Sequence, residues 1–201
     1  MQTVIDVGAS NGSWSKRVMK YFPEANYLLV EAQEAAHGLA LKEFKATHGN
    51  VDYALCAAGN RDGQIHFDAD RPLGGAASET AFETNDTVIP MRAVDTLVRE
   101  RDLRGPYLLK LDTHGFEVPI LEGAGTVLSQ AAMLIIEAYN FTICRGALRF
   151  HELCAYLEPR GFRCADIFDL MVRPLDQSFW QMDMVFLPSQ HKIFQSNLYG
   201  S

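Results

Sequence analysis

The run Val4-Ile5-Asp6-Val7-Gly8-Ala9-Ser10-Asn11-Gly12 limits the possible folds more than any other part of the chain. Its apolar start reads as a buried strand. After the glycines, Trp14, Val18, Tyr21 and Phe22 recur at helical spacing, which places an apolar stripe back on a sheet until Pro23 stops the helix. Gly8 and Gly12 fit φ angles that other residues resist, and they leave bare backbone amides where a ligand can approach. A second apolar run, Tyr27 to Val30, ends in Glu31. An acid at the end of the second strand, roughly 20 residues past such glycines, is placed to accept hydrogen bonds from both hydroxyls of a ribose.

The turn departs from the dinucleotide fingerprint, in which glycines take the first, third and sixth places. Ser10 fills the third place here and Gly12 the fifth, which argues against NAD and FAD and hence against an NAD-dependent oxidoreductase. Asp6, just ahead of the first glycine, suits a ligand carrying an ammonium group, such as the methionine end of S-adenosyl-L-methionine, better than a pyrophosphate.

The chain has 201 residues, 48% of them hydrophobic, enough for one good core, and the expectation is a single domain over 1-201 with a core at about 3-188. A formal net charge of −7 repels phosphate polymers, and no basic run interleaved with aromatics offsets it. Nucleic acid is therefore not the expected substrate. No run reaches the ~18 apolar residues of a membrane span, and no signal segment precedes the first strand, so the expected location is cytoplasmic. Cys56, Cys144, Cys154 and Cys164 form no C-x-x-C pair and read as reduced thiols among apolar neighbours.

Further along, strand and helix alternate, which predicts an α/β fold around a parallel sheet. The spacing predicts a helix over 35–47 and a third strand over 51–57. An extended piece at 64–67 leads to a small-residue loop, Leu73 to Ser78, that could act as a lid. A strand follows at 87–94, with Asp95 as N-cap of a helix over 96–103. The fourth core strand, Tyr107 to Leu111, delivers Asp112-Thr113-His114-Gly115-Phe116-Glu117 at its carboxyl end, where open α/β sheets bind their ligands. One helical segment carrying Ile120, Leu121, Ala124 and Leu128 leads to a fifth strand over 133–137, ending in Glu137-Ala138-Tyr139-Asn140. A helix marked by Phe150, Leu153 and Leu157 follows, and strands at 162–168 and 179–187 close the sheet as a hairpin.

Three polar strand ends thus converge: Asp6, the 112–117 segment and Glu137 to Asn140. His114 is the candidate general base, because an alcohol is a poor nucleophile until its proton is taken and imidazole titrates in the right range. Glu117 could share that duty or cap the next helix. Asp112, Glu137 and Asn140 offer oxygen ligands of the kind magnesium takes, but two carboxylates are a thin shell, and a divalent metal is not the favoured reading.

The segments D-V-G-A-S-N-G, V-E-A, V-D-T-L, L-K-L-D-T-H-G-F-E, I-L-E-G-A and the late M-D-M-V-F-L together resemble the FkbM family of S-adenosylmethionine-dependent methyltransferases. The most specific part is D-x-x-G-x-E, here Asp112, Gly115 and Glu117. The resemblance runs from Val4 to about Leu187. It implies a Rossmann-like seven-stranded sheet with helices on both faces and an antiparallel last strand, and O-methylation of a hydroxyl on a sugar, glycolipid or natural product. On that reading, Asp6 and Gly8, Ala9, Ser10, Asn11 and Gly12 hold the methionine end of the cofactor. Glu31 and Ala32 take the ribose, Cys56 and Ala57 the adenine edge, and Asp112 the sulfonium side. The acceptor is a small molecule or glycan bound by loops at 74–85 and 140–149, and His114, Asp112 and Glu117 carry the chemistry. A cofactor-binding module without transfer activity is the alternative. Methylation of nucleic-acid bases is disfavoured by the acidic charge and by L-D-T-H at the fourth strand.

Overall fold

The computed structural model describes residues 1–69 and 74–200. In chain order it contains β1 (Thr3–Val7), α1 (Ser13–Val18), β2 (Asn26–Glu31), α2 (Glu34–Thr47) and β3 (Val51–Leu55). Next come β4 (Ala57–Gly59), β5 (Gly63–Asp68), β6 (Ala76–Ser78), β7 (Asp86–Ala93), α3 (Val94–Glu100) and β8 (Tyr107–Leu111). The last elements are α4 (Glu117–Glu122), α5 (Gly125–Ser129), β9 (Ala131–Tyr139), α6 (Phe150–Leu157), β10 (Phe162–Val172) and β11 (Phe179–Pro188).

Seven strands form the main sheet in the order β10-β11-β9-β8-β1-β2-β3. Every residue of β1 and β8 is buried, as central parallel strands covered on both faces require. The last strand, β11, runs antiparallel to β9, and β10 completes the hairpin along its outer edge. On one face Val4, Leu29 and Leu108 pack with Leu41 and Phe44 of α2. On the other, Ile5, Leu109 and Leu111 pack with Leu97 of α3, Ile120 of α4 and Leu153 of α6. The α/β architecture with helices on both faces is the one expected.

From β1 the chain steps outward to β2 and β3, whereas from β8 it steps the opposite way to β9. The carboxyl ends of β1 and β8 therefore flank a topological switch point. The register pairs Asp6 with Lys110 and Val7 with Leu111, so Gly8 and Asp112 emerge side by side at that crevice.

Several boundaries differ from expectation, each because of a tertiary contact. The third strand ends at Leu55 rather than Ala57, because Ala57–Gly59 leaves the main sheet to pair with Met91–Ala93. A second, four-stranded sheet of order β4-β7-β5-β6 results, which periodicity alone does not predict. Ala76–Ser78 of the expected lid loop is strand β6 in this sheet, paired with His66–Asp68, while Leu73 lies outside the described residues. Asp95 does not cap its own helix. It lies inside α3, and its carboxylate accepts from the amides of Thr126 (2.7 Å) and Val127 (2.9 Å), capping α5 instead. The single helix expected over 120–128 is broken at Gly123 and Ala124, where a Cβ on Gly123 would stand 2.0 Å from the Gly59 carbonyl oxygen. All four cysteines are free, but only Cys56 is fully buried.

Candidate active site

The glycine turn is built for its neighbours within the protein. Gly8 has φ +78°, and a Cβ there would lie 1.9 Å from the carbonyl oxygen of Asp112; at Gly12, φ +75°, it would meet the Phe44 ring at 2.8 Å. Ser10 also adopts a left-handed φ of 50°. The amides are not bare, as the sequence had suggested. Gly8 and Ala9 donate to the Val30 carbonyl, Gly12 donates to that of Ala9, and Ser13 donates to the Asn11 side chain. The Ser10 amide donates to Oε2 of Glu31 at 2.7 Å, while Oε1 accepts from the Gln33 amide at 2.8 Å. Glu31 thus clamps the turn to the end of β2.

Above this turn lies a cavity of about 470 Å³. Gly8, Ser10, Glu31, Ala32 and Cys56 line it, and the small sheet with the residue before β6 adds Ala57, Phe67, Ala77 and Gly75. Asp112, His114 and Glu137 close the opposite side. A second cavity of about 410 Å³ shares Gly8, Ser10, Asp112, Glu137, Met171 and Gln181 with the first, and continues over Ala9, Trp14, Arg17 and Lys110 to Asp169 and Asp183. None of residues 141–149 lines either cavity.

Asp6 stands beneath this surface, not on it. It is fully buried, accepts from the Ser15 hydroxyl at 2.7 Å through Oδ2, and has its Oδ1 3.7 Å from the Lys110 ammonium. Burial pushes its carboxyl above the ordinary value, against the pull of Lys110 and Ser15. Lys110 is itself buried, sits 5.3 Å from the Trp14 ring centroid, and donates to Oδ2 of Asp112 at 2.8 Å. Burial pulls the pKa of this lysine down, but Asp6 and Asp112 outweigh it and hold the pKa above the usual range.

The second cavity carries four carboxylates, Asp112, Glu137, Asp169 and Asp183, against two cations, Arg17 and Lys110. Asp183 lies opposite Glu137 in the β9–β11 register. Burial, together with the charges of Glu137, Asp112 and Asp169, pushes Asp183 up to about 6, although Lys110 opposes the shift. This excess of negative charge suits a cationic ligand. Asp183 and Phe67 are site residues that sequence reasoning missed. M-D-M-V-F-L reads as ordinary strand alternation, and Phe67 reaches the cavity only through the second sheet.

His114 and Gly115 both turn left-handed, at φ 50° and 101°, and display the imidazole on the cavity wall. Histidine is among the few non-glycine residues enriched in that region. A Cβ on Gly115 would strike Cys144 Sγ at 2.4 Å. Glu117 lies under the same loop and lines neither cavity: Oε1 accepts from the Gly115 amide at 2.9 Å and the Thr113 hydroxyl at 3.2 Å. Burial raises its pKa. Glu117 does not cap α4 as expected: it is that helix's first residue, the helix has no side-chain cap bond, and its carboxylate braces the loop before it.

Asp112, His114 and Glu137 bring donor atoms within 4.8 Å of one another. Each is already engaged, however: Asp112 by Lys110, His114 Nδ1 by the Tyr139 hydroxyl at 2.8 Å, and Glu137 by Tyr139 and by Gln181 at 2.7 Å. Asn140, the further ligand considered, donates Nδ2 to the Phe179 carbonyl and lines neither cavity. These contacts leave Asp112 Oδ1 and His114 Nε2 open, but two carboxylates and one imidazole are a thin shell for a hard divalent ion, and no step is assigned to a metal.

The model of the methyltransferase FkbM domain matches residues 6–164, well over half of the chain. Among solved structures, the methyltransferase FkbM from Methylobacillus flagellatus KT superimposes with a TM-score of 0.56 at 18% identity, over 91% of this chain and 43% of that one. TrmK of M. capricolum, solved with S-adenosyl-homocysteine, gives 0.55 at 8% identity, over 94% and 63%. The precorrin-6y C5,15-methyltransferase of Geobacter metallireducens GS-15 gives 0.51 at 14%, over 94% and 82%. These likenesses establish the fold, and the chain spans less than half of the M. flagellatus protein and under two thirds of TrmK. No curated protein matches it in sequence. No helix among the described residues is long and apolar enough to cross a membrane. With its seven-stranded sheet, its switch-point crevice and the domain match over 6–164, the chain belongs to the FkbM family of S-adenosylmethionine-dependent methyltransferases.

Proposed function

We propose that this protein transfers a methyl group from S-adenosylmethionine to a hydroxyl of a small-molecule or glycan acceptor. The observation that carries the reading is the two-lobed cavity over the switch point. One lobe has an apolar wall of Cys56, Ala57 and Phe67 with Glu31 beside it, and the other, which shares Asp112 and Glu137 with the first, holds four carboxylates against two cations.

The cofactor supplies an electrophilic methyl on a cationic sulfur. Phe67, Ala57 and Cys56 form an apolar slot for the adenine, and Glu31 keeps spare lone pairs on both oxygens for the ribose hydroxyls. Gly8, Ala9 and Ser10 offer their surface to the methionine end, while Asn11 and Gly12 line neither cavity. Arg17 and Lys110 suit the carboxylate of that end, while Asp169 and Asp183 suit its ammonium. Asp6 acts indirectly, by fixing Lys110 and Ser15. Asp112 is partly neutralised by Lys110, so it does not stabilise the cationic ground state as a bare carboxylate would.

His114 takes the proton of the acceptor hydroxyl as the oxygen attacks. The O–C bond forms, the S–C bond breaks with its electron pair going to sulfur, and the proton ends on the imidazole. Alignment in the crevice supplies most of the acceleration and the base a further share.

The test is incubation of the purified chain with methyl-labelled S-adenosylmethionine and panels of sugars, glycolipids and hydroxylated polyketides. The reading expects label on an acceptor oxygen, and a loss of about 100-fold in His114→Ala with cofactor affinity kept. Tight cofactor binding without transfer across the panels would make the protein a binding module.

A further inference from the structure

The cavity wall carries a half-buried hydrogen-bonded chain, Gln181 to Glu137 to Tyr139, that ends on His114. Tyr139, at the end of β9, lies on the same strand face as Glu137 two residues earlier, and its hydroxyl reaches both Oε1 of Glu137 and Nδ1 of His114, the latter at 2.8 Å. Gln181 of β11 donates to the other carboxylate oxygen at 2.7 Å, so Glu137 is held from both sides. The Tyr139 ring is fixed edge-on against Trp180, with centroids 5.9 Å apart.

We propose that Tyr139 is a positioning residue that links Glu137 to Nδ1 of His114, so that Nε2 alone serves as the proton acceptor.

The direction of the hydrogen bonds follows from the donor inventory. An ionised carboxylate only accepts, and a phenol has one proton to give. Giving it to Glu137 makes the stronger, charge-assisted bond, so the tyrosine oxygen must accept from Nδ1–H. Burial and the adjacent Glu137 push the phenol well above its ordinary pKa, which keeps that proton in place. The neutral imidazole is then the Nδ1–H tautomer, with its lone pair on Nε2. When Nε2 takes a proton, the positive charge forms beside Glu137, 3.4 Å from Nδ1. Other charged groups surround the ring: Asp112 and its partner Lys110 on β8, and Glu117 at the start of α4. The hydrogen bond and charge of Glu137, with smaller contributions from Asp112 and Glu117, outweigh burial and raise the histidine's pKa. The left-handed turn at His114 presents the ring edge to this relay, and Cys144 Sγ lies against the His114 and Gly115 carbonyls from below.

The proposal rests on His114 being the base, but its test needs no acceptor. The full chain, labelled with ¹⁵N-histidine and saturated with S-adenosyl-homocysteine, is titrated by long-range ¹H–¹⁵N correlation spectroscopy, with His114→Gln assigning the resonances. The expected result is a protonated Nδ1 and an unprotonated Nε2 on the alkaline side of the titration. In Tyr139→Phe, the tautomer shifts toward Nε2–H and the midpoint moves to lower pH. In Glu137→Gln, which removes the charge and leaves one oxygen to accept, the midpoint falls to lower pH; this variant also serves if Tyr139→Phe folds poorly, and an unchanged midpoint in it would count against the link. An Nε2–H tautomer in the unaltered protein would overturn the proposal, as would a tautomer and midpoint unchanged in Tyr139→Phe. Failure of the methyl-transfer reading would appear separately, as absence of cofactor binding or of transfer.

Discussion

Gly8 and Asp112 meet backbone to backbone at the crevice, so closely that a Cβ on Gly8 would stand 1.9 Å from the Asp112 carbonyl oxygen. The contact joins the strand carrying the glycine turn to the strand carrying the loop that displays His114, so both walls of the crevice share one fixed origin. Gly8→Ala should therefore cost about 3 kcal/mol or more, combining overpacking with a left-handed φ that alanine resists. Urea unfolding measures this. Gly49→Ala, where nothing lies within 4 Å, is the control and should stay within about 0.5 kcal/mol of the unaltered protein.

Glu31 holds two backbone amides and edges the apolar lobe. Glu31→Ala should weaken S-adenosyl-homocysteine binding by about 1–3 kcal/mol through lost charged hydrogen bonds. Calorimetry reads the effect, and an unchanged affinity would remove Glu31 from the ribose.

Lys110 lies on β8 beside Asp6 on β1, with Asp112 two residues ahead on the same face. Lys110→Met would leave the fully buried Asp6 without its cation, a loss of about 3–5 kcal/mol near neutral pH. The sign with pH is fixed by Asp6. Its carboxyl is raised in the folded state, and more so without Lys110, so the folded state binds the extra proton and the variant gains stability as pH falls. Adding Asp6→Asn should restore part of the loss and flatten that dependence in thermal unfolding.

Asp183 titrates at about 6 in the folded chain against an ordinary value of 3.8. The folded state therefore holds this proton more tightly, and the group's unfavourable contribution grows as pH rises from about 4 to about 6. Asp183→Asn should stabilise the ligand-free protein at pH 7 to 8 by about 1 kcal/mol, after allowance for solvent screening, and leave it unchanged below pH 4. Affinity for S-adenosylmethionine should rise between about pH 5 and 7 in the unaltered protein as this carboxylate ionises, and should lose that rise in the variant.

The parts of the fold legible in the sequence are those whose pattern is set by burial along one element. The apolar runs of β1, β2 and β8 mark strands covered on both faces, and the residues at their carboxyl ends fall at the crevice because a parallel sheet puts them there. What stayed hidden depends on pairing between distant segments. The 87–94 stretch reads as a strand, but nothing in it says that its partners are Ala57–Gly59 and Gly63–Asp68, so the second sheet and its delivery of Phe67 to the cavity were invisible. Asp95 has the composition of an N-cap, yet it serves another helix across the fold. Gly8 and Gly12 were legible as a turn, but the atoms that demand them belong to Asp112 and Phe44 rather than to a ligand. The D-x-x-G-x-E segment was legible as a site. That its glutamate braces the loop displaying His114 follows only from the bonds to Gly115 and Thr113.

The proposed methyl transfer requires that the crevice between β1 and β8 receive an adenosyl cation. Isothermal calorimetry of the intact chain with S-adenosylmethionine, and separately with S-adenosyl-homocysteine and NADH, tests that directly. The account predicts one saturable site for each adenosyl compound, none for NADH, and weakening of both adenosyl ligands in Glu31→Ala. Absence of heat with millimolar S-adenosylmethionine, or tighter binding of NADH, would contradict it.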